Sequence, residues 1–208
     1  MAARRRRGPA ARRKAGAPAK RKSTVGAAGR RTPGGARADS LSIRPGTVRD
    51  VPTILALIRA LADYERLAHQ MEATPARVRA HGFGGRRYFE TLICRRGGKP
   101  VGFALYFFTY STFLASPSLY LEDLFVLPEE RGRGAGRALL SELARIAVRR
   151  GCGRMEWAVL DWNTPSIGFY ENLGAQLKRE WILTRLTGDP LQRLARPGRK
   201  SGAKAKRR

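Results

Sequence analysis

Cysteine, histidine and acidic residues are scarce in this 208-residue chain. It carries two cysteines, Cys94 and Cys152, and two histidines, His69 and His81, and its 16 acidic residues face 42 basic ones, for a formal net charge of +26. Two cysteines make no disulfide framework, and neither a CxxC pair nor a Cys/His spacing suited to zinc is present. Both cysteines read as small buried hydrophobes in a reducing compartment. The histidines have no partner pattern and read as surface or satisfied residues. No apolar run is long enough to span a bilayer, and no apolar h-region marks a secretory signal. The expectation is a cytoplasmic protein with no metal and no transmembrane segment.

Acid is missing altogether from two stretches. Residues 1–38 hold 13 Lys and Arg with no acid, and residues 193–208 hold 8 with none. The remainder, 39–192, carries 21 basic and 16 acidic residues, a net of +5. The N-terminal stretch (Arg4–Arg7, Arg12-Arg13-Lys14, Lys20-Arg21-Lys22, Arg30-Arg31) has almost no large apolar residue, too little to offset the entropy of ordering. The organisation expected is a disordered basic tail over 1–38, one folded domain over 39–190, and a disordered basic tail over 191–208. Two readings of the first tail stay open: an arm that binds DNA, RNA or another polyanion, and a solvated extension or mis-set start. A transit peptide is disfavoured by the missing apolar face and the little serine.

The most informative motif is Arg131-Gly132-Arg133-Gly134-Ala135-Gly136. An apolar run from Leu119 to Leu127, closed by Pro128, precedes it. A helical pattern of Leu139, Leu140, Leu143, Ile146 and Ala147 follows. A strand, a glycine-rich turn and a helix start direct backbone N–H groups and the positive end of a helix dipole at one spot, which binds phosphate. The dinucleotide fingerprint fails on spacing, because Arg137 and Leu139 stand where it needs a small residue, and no Gly-Lys-Ser/Thr closes a P-loop. R-x-x-G-x-G, from Arg131 to Gly136, does fit.

The rest of the core reads as follows. Leu41–Arg44 is a short strand, and Thr47 with Asp50 caps a helix whose apolar positions run Val51, Ile54, Leu55, Leu57, Ile58, Leu61. A second helix spans Thr74-Pro75 to about His81. Strands follow at Tyr88–Cys94, Val101–Tyr110 and Leu119–Leu127, with Arg95-Arg96-Gly97-Gly98 turning the chain between the first two. The helix after the glycine turn reaches about Arg150. A strand at Met155–Leu160, a helix from Asn163-Thr164-Pro165 to Gly174, and a last strand at Gln176–Leu186 complete the order. Three consecutive strands predict an antiparallel meander, and the strand–helix–strand unit predicts a right-handed parallel crossover. The fold class is α/β with a mixed sheet flanked by helices; a doubly wound sheet would need helices between the middle strands.

Several separated motifs now converge. R-x-x-G-x-G is the pyrophosphate signature of the GCN5-related N-acetyltransferases. The chain resembles the diamine branch of that superfamily, the spermidine/spermine and thialysine type. The resemblance is carried by Ile43-Arg44-Pro45, Leu61 to Glu65, Gly82-Phe83-Gly84, Val101-Gly102-Phe103-Ala104 through Phe108-Thr109-Tyr110, Tyr120-Leu121-Glu122-Asp123, Arg131 to Gly136, and Trp162-Asn163-x-Pro165-Ser166-Ile167-x-Phe169-Tyr170 with Gly174-Ala175. It covers about residues 41–187 and leaves both tails outside.

The resemblance implies an acetyl-CoA-dependent N-acetyltransferase with no metal, acting on a small primary amine, and a homodimer. It implies coenzyme contacts from the backbone of Leu124, Phe125 and Val126, from Arg131, Gly132, Arg133, Gly134, Ala135, Gly136 and Arg137, and from Asn163 and Ser166. Asn163 also reads as an ordinary helix cap. The resemblance places Tyr170 as the acid that protonates the leaving thiolate, as a phenol of pKa about 10 can. Glu122-Asp123 is an acidic pair in an otherwise apolar strand, where a buried carboxylate is costly without a task. Glu122 would draw a proton from the substrate ammonium and Asp123 would hold the cation; a structural ion pair is the other reading. Tyr64 and Glu65 match a substrate-contacting pair, with Trp157 and Glu180 as weaker candidates.

One departure separates the chain from the polyamine-acting members, which carry an acid directly after Phe-Thr-Tyr. Here Ser111 follows Phe108-Thr109-Tyr110. That favours a small lysine-like amine such as thialysine over spermidine, as does the mildly basic core. The alternative function is a protein lysine acetyltransferase, or a nucleic-acid-associated protein, recruited through the basic tails.

Overall fold

A computed structural model of the chain describes residues 39–196. The expected basic tail over 1–38, and residues 197–208 of the C-terminal one, lie outside the described residues. The sheet contains β1 (Leu41–Pro45), β2 (Glu90–Arg96), β3 (Lys99–Ser111), β4 (Ser116–Val126) and β5 (Arg154–Trp157). Its spatial order is the sequence order. Neighbours from β1 to β4 are antiparallel, and β4 and β5 are parallel. The helices are α1 (Val51–Tyr64), α2 (Pro75–Phe83), α3 (Ala135–Arg149), α4 (Thr164–Glu171) and α5 (Gly188–Ala195). The meander and the parallel β4–α3–β5 unit agree with the sequence pattern.

Alternation along the strands divides the core between the two faces of the sheet. Val51, Ile54 and Leu57 of α1 pack with Ile93, Phe103, Leu105 and Phe125 on one face. Leu139, Leu143 and Ile146 of α3 pack with Leu92, Ala104, Tyr106, Leu119 and Leu121 on the other. Burying such side chains is the main term holding helices to a sheet, about 25 cal/mol for each Å² of apolar surface. The start of α1 is fixed by polar contacts. The Asp50 carboxylate accepts from the Thr47 N–H at 2.9 Å and the Thr47 hydroxyl at 2.7 Å, and forms a two-point pair with Arg44 at 2.6 and 2.8 Å. The Arg44 guanidinium and these hydrogen bonds hold the carboxyl well below the usual carboxylate range.

Two features of β4 shape the site. Leu105 pairs with Asp123 while Tyr106 pairs with Leu121, so Glu122 is the extra residue of a bulge. The parallel pairing with β5 runs only from Ser118–Arg154 to Leu121–Trp157. Beyond it, residues 122–126 of β4 continue without a β5 neighbour.

The C-terminal region departs from expectation. The strand read at Met155–Leu160 stops at Trp157, and Gln176–Leu186 forms no strand. Leu177, Trp181 and Leu183 give that segment a strand-like alternation, but a turn closed by the Trp181 N–H on the Lys178 carbonyl interrupts it. No strand of this chain's sheet pairs with it. Trp181, Ile182 and Leu183 are 72–85 % exposed. The expected domain boundary after residue 190 is crossed by α5, whose Asp189 stands favourably in its first turn.

Candidate active site

The glycine turn has the geometry its sequence predicts. Gly132 and Gly134 adopt φ of +72° and +86°, and α3 begins at Ala135. A Cβ at either glycine would meet nothing within 4 Å, so it is the backbone conformation that selects glycine there. Among the described residues, no protein acceptor meets the N–H groups from Gly132 through Arg137. The next one, Ala138 N–H, bonds the Gly134 carbonyl. A run of free N–H donors at a helix start fits a pyrophosphate.

The basic side chains of the turn point elsewhere. The Arg131 Nε donates to the Val126 carbonyl at 3.1 Å, and its guanidinium lies 4.2 Å above the Tyr64 ring and 5.7 Å from that of Phe125. Arg133 pairs with Asp39 at 2.6 Å and Glu130 at 3.0 Å. Arg137 lines an open groove with Gly134 of the turn, Leu41 and Ile43 of β1 and the outer face of α3, while Gly136 packs near Phe169 of α4. Of the three arginines expected at the coenzyme, Arg131 is the one bonded to the end of β4, through the Val126 carbonyl.

Aromatic rings gather at the end of β4 that β5 leaves without a neighbour. Tyr64, at the end of α1, lies 5.9 Å from the Trp162 ring and 6.5 Å from that of Phe125. Its hydroxyl donates to Asn163 Oδ1 at 3.3 Å, and the Ser166 N–H donates to the same oxygen at 3.4 Å. Asn163 therefore caps α4 and also fastens it to α1 across the gap that β5 leaves. Tyr170 is buried on α4, edge-on to Trp157 at 5.1 Å. Its carbonyl accepts from the Leu173 and Ala175 N–H groups, with Gly174 at φ +88° closing the helix.

The Acetyltransferase (GNAT) family model matches residues 54–175. The chain belongs to this family. The mouse (Mus musculus) thialysine N-epsilon-acetyltransferase is 36 % identical over 167 residues, spanning 75 % of this chain and 98 % of the mouse protein. The Bos taurus thialysine N-epsilon-acetyltransferase is 38 % identical over 164 residues, 74 % of this chain and 96 % of that one. The Arabidopsis thaliana L-ornithine N5-acetyltransferase NATA1 is 35 % identical, with 72 % and 86 % covered. Among solved structures, an integron cassette protein from the mobile metagenome of V. cholerae superposes with a TM-score of 0.65 at 26 % identity, covering 76 % of this chain and 99 % of that one.

The electrostatics of this acetyltransferase centre on three carboxyls. Asp123 is pushed up to about 7, first by burial and then by the charges of Glu122 and Glu65. Glu65 is raised by burial. Tyr170 is pushed up to about 12 by burial and by the Glu65 charge. Glu65 thus acts on both Asp123 and Tyr170, while Glu122 stands exposed on its bulge. Trp157 belongs to the packing beside Tyr170 on the α3 face. Glu180 is exposed and pairs only with Lys178, at 3.9 Å. Ser111 is buried at the far end of β3, where its hydroxyl accepts from the Leu114 N–H at 3.2 Å. It stands six residues along β3 from Leu105, the partner of Asp123, or roughly 20 Å. Within one chain, then, the residue after Phe-Thr-Tyr lies far from the acidic cluster.

Sequence reasoning gave no role to two residues that this arrangement uses. Trp162 stands beside Asn163 in the motif but showed no sign of its stacking on Tyr64. Arg96 read as a turn residue, whereas it ends β2 and reaches the glycine turn. Gly134→Ala would force a side chain into the left-handed region at the phosphate turn. A KM for acetyl-CoA raised about tenfold, with the amine KM unchanged, is the expected kinetic result at a strain of this order.

Proposed function

We propose that this acetyltransferase transfers the acetyl group of acetyl-CoA to the primary amine of a small lysine-like or diamine-like molecule. The observation that carries the proposal is the acidic cluster Glu65–Glu122–Asp123 at the end of β4 that β5 leaves without a neighbour. A carboxyl of pKa about 7 is a poor structural ion but a good receptor for an incoming cation, whose charge would draw it into its ionised form. The activities named for the mouse and Arabidopsis relatives support the same class of substrate.

In this reading the thioester, when bound, supplies an activated acetyl group and a thiolate leaving group. Free N–H groups of the glycine turn would hold the pyrophosphate, and the edge of β4 that β5 leaves at residues 124–126, where Arg131 already takes the Val126 carbonyl, would orient the acetyl arm. Asn163 and Ser166 form the wall at the start of α4. Tyr64, Glu65 and Asp123 place the ammonium, and Glu122, exposed on the bulge, passes its proton to solvent. The neutral amine attacks the carbonyl carbon, the C–S bond breaks as Tyr170 gives its proton to the sulfur, and the nitrogen sheds its surplus proton, which restores the Tyr170 phenol by way of solvent.

The test is thiol release with acetyl-CoA and thialysine, lysine, spermidine, putrescine or a histone-tail peptide. Selective turnover of one small amine is expected. Turnover of the peptide alone would overturn the proposal in favour of a protein substrate, and deletion of residues 1–38 would show whether the basic segment delivers it.

We also propose a homodimer. Trp181, Ile182, Leu183 and Leu194 are 72–85 % exposed, an apolar stretch that a monomer rarely leaves in water. The outer edge of β5 has no strand neighbour in the described sheet. A second copy would cover both. Trp181→Lys is expected to shift a dimer to monomer in sedimentation equilibrium; an unchanged mass would remove the segment from the interface.

A further inference from the structure

We propose that Arg96 is a positioning residue for the coenzyme: it clamps the glycine turn so that the free N–H groups face one point. The inference rests on the acetyl-CoA reading of that turn. Arg96 ends β2, two strands across the sheet from β4, which leads into the turn, and its side chain is only 10 % exposed. Its Nε donates to Glu130 at 2.8 Å. One terminal nitrogen donates to the Asp39 carbonyl at 3.2 Å and its carboxylate at 3.4 Å. The other donates to the Arg133 carbonyl at 2.8 Å.

Position decides why that last bond matters. Arg133 lies between the two left-handed glycines, Gly132 and Gly134. Turning its peptide would swing the Gly134 N–H away from the direction its neighbours share. The bond from Arg96 opposes that rotation. Glu130 and Asp39 complete the clamp, since both also bind the Arg133 guanidinium. Two cations and two anions cancel, so the clamp adds rigidity without charge. It also occupies Arg133, leaving the backbone to meet the phosphates. A guanidinium suits the task because its planar fork reaches four acceptors on three residues at once, which an ammonium cannot do in fixed geometry.

The experiment measures CoA binding by calorimetry in the full chain, with pantetheine, which lacks the pyrophosphate, as control. Arg96→Gln is expected to raise the Kd for CoA about tenfold, the scale for losing charge-assisted hydrogen bonds. Pantetheine affinity and the kcat at saturating acetyl-CoA should stay as in the wild type. Arg96→Lys should keep most of the defect. Asp39→Asn, at a carboxylate that is 72 % exposed, removes one arm of the clamp without disturbing a buried ion and should show a smaller loss of the same kind. Equal weakening of CoA and pantetheine, or unchanged CoA binding in both Arg96→Gln and Asp39→Asn, overturns the proposal. A wild-type chain that binds no CoA would overturn the coenzyme site itself, and the clamp with it.

Discussion

Tyr170→Phe should lower kcat by about two to three orders of magnitude while leaving CoA binding within about twofold, the range expected for losing a general acid. The side chain is buried against Trp157 and Phe169, and phenylalanine keeps that packing. Among the described residues, no side chain is hydrogen-bonded to the Tyr170 hydroxyl and left orphaned by its loss. Stability should therefore change little, and a kinetic loss would belong to the proton. Burial and the nearby Glu65 charge push the phenol to about 12, so it stays protonated through the working range and is available to a departing thiolate. Measured kcat in the variant within threefold of wild type would remove Tyr170 from the chemistry and leave it as packing.

The second large effect concerns Asp123. Its folded value of about 7 lies above the ordinary 3.8. Below the ordinary value both states hold the proton, and between it and about 7 only the folded state does. The folded state is therefore favoured at low pH and loses that advantage as pH rises to about 7. Asp123→Asn has no such penalty. It should be more stable than wild type at pH 8, by up to about 4 kcal/mol on the linkage scale, and no more stable at pH 4. The same variant should lose amine turnover by about a hundredfold or more, since the cation loses its buried partner. Chemical denaturation at the two pH values and kcat/KM for the amine read both effects. A variant both less stable at pH 8 and fully active would show that the carboxylate is a structural ion.

The sheet, its helices and the glycine turn were legible because each rests on local chemistry: alternation in β2 to β4, helical spacing in α1 and α3, and left-handed glycines at Gly132 and Gly134. The acidic pair was legible as an anomaly of composition, because carboxyls are rare in an apolar strand. The bulge that turns Glu122 outward and Asp123 inward was not, since register shifts arise from pairing with β3. The side-chain directions of Arg131, Arg133 and Arg137 were equally hidden. Three arginines near one motif look alike in sequence, yet one stacks on Tyr64, one is held by Asp39 and Glu130, and one faces the groove by β1. The missing strand after Gln176 is the converse case: the local pattern is present, and this chain's sheet supplies no neighbour for it.

The run of uncommitted amides from Gly132 to Arg137 has a consequence for the time axis. Amides without an acceptor trade their hydrogen for deuterium rapidly, whereas those of the α3 interior, each bonded a turn back, trade slowly. The boundary between fast and slow should fall at Ala138 in the free protein. A ligand that fills the turn should carry that boundary back toward Gly132. Deuterium uptake along this one peptide therefore reports occupancy directly, whichever amine the enzyme modifies.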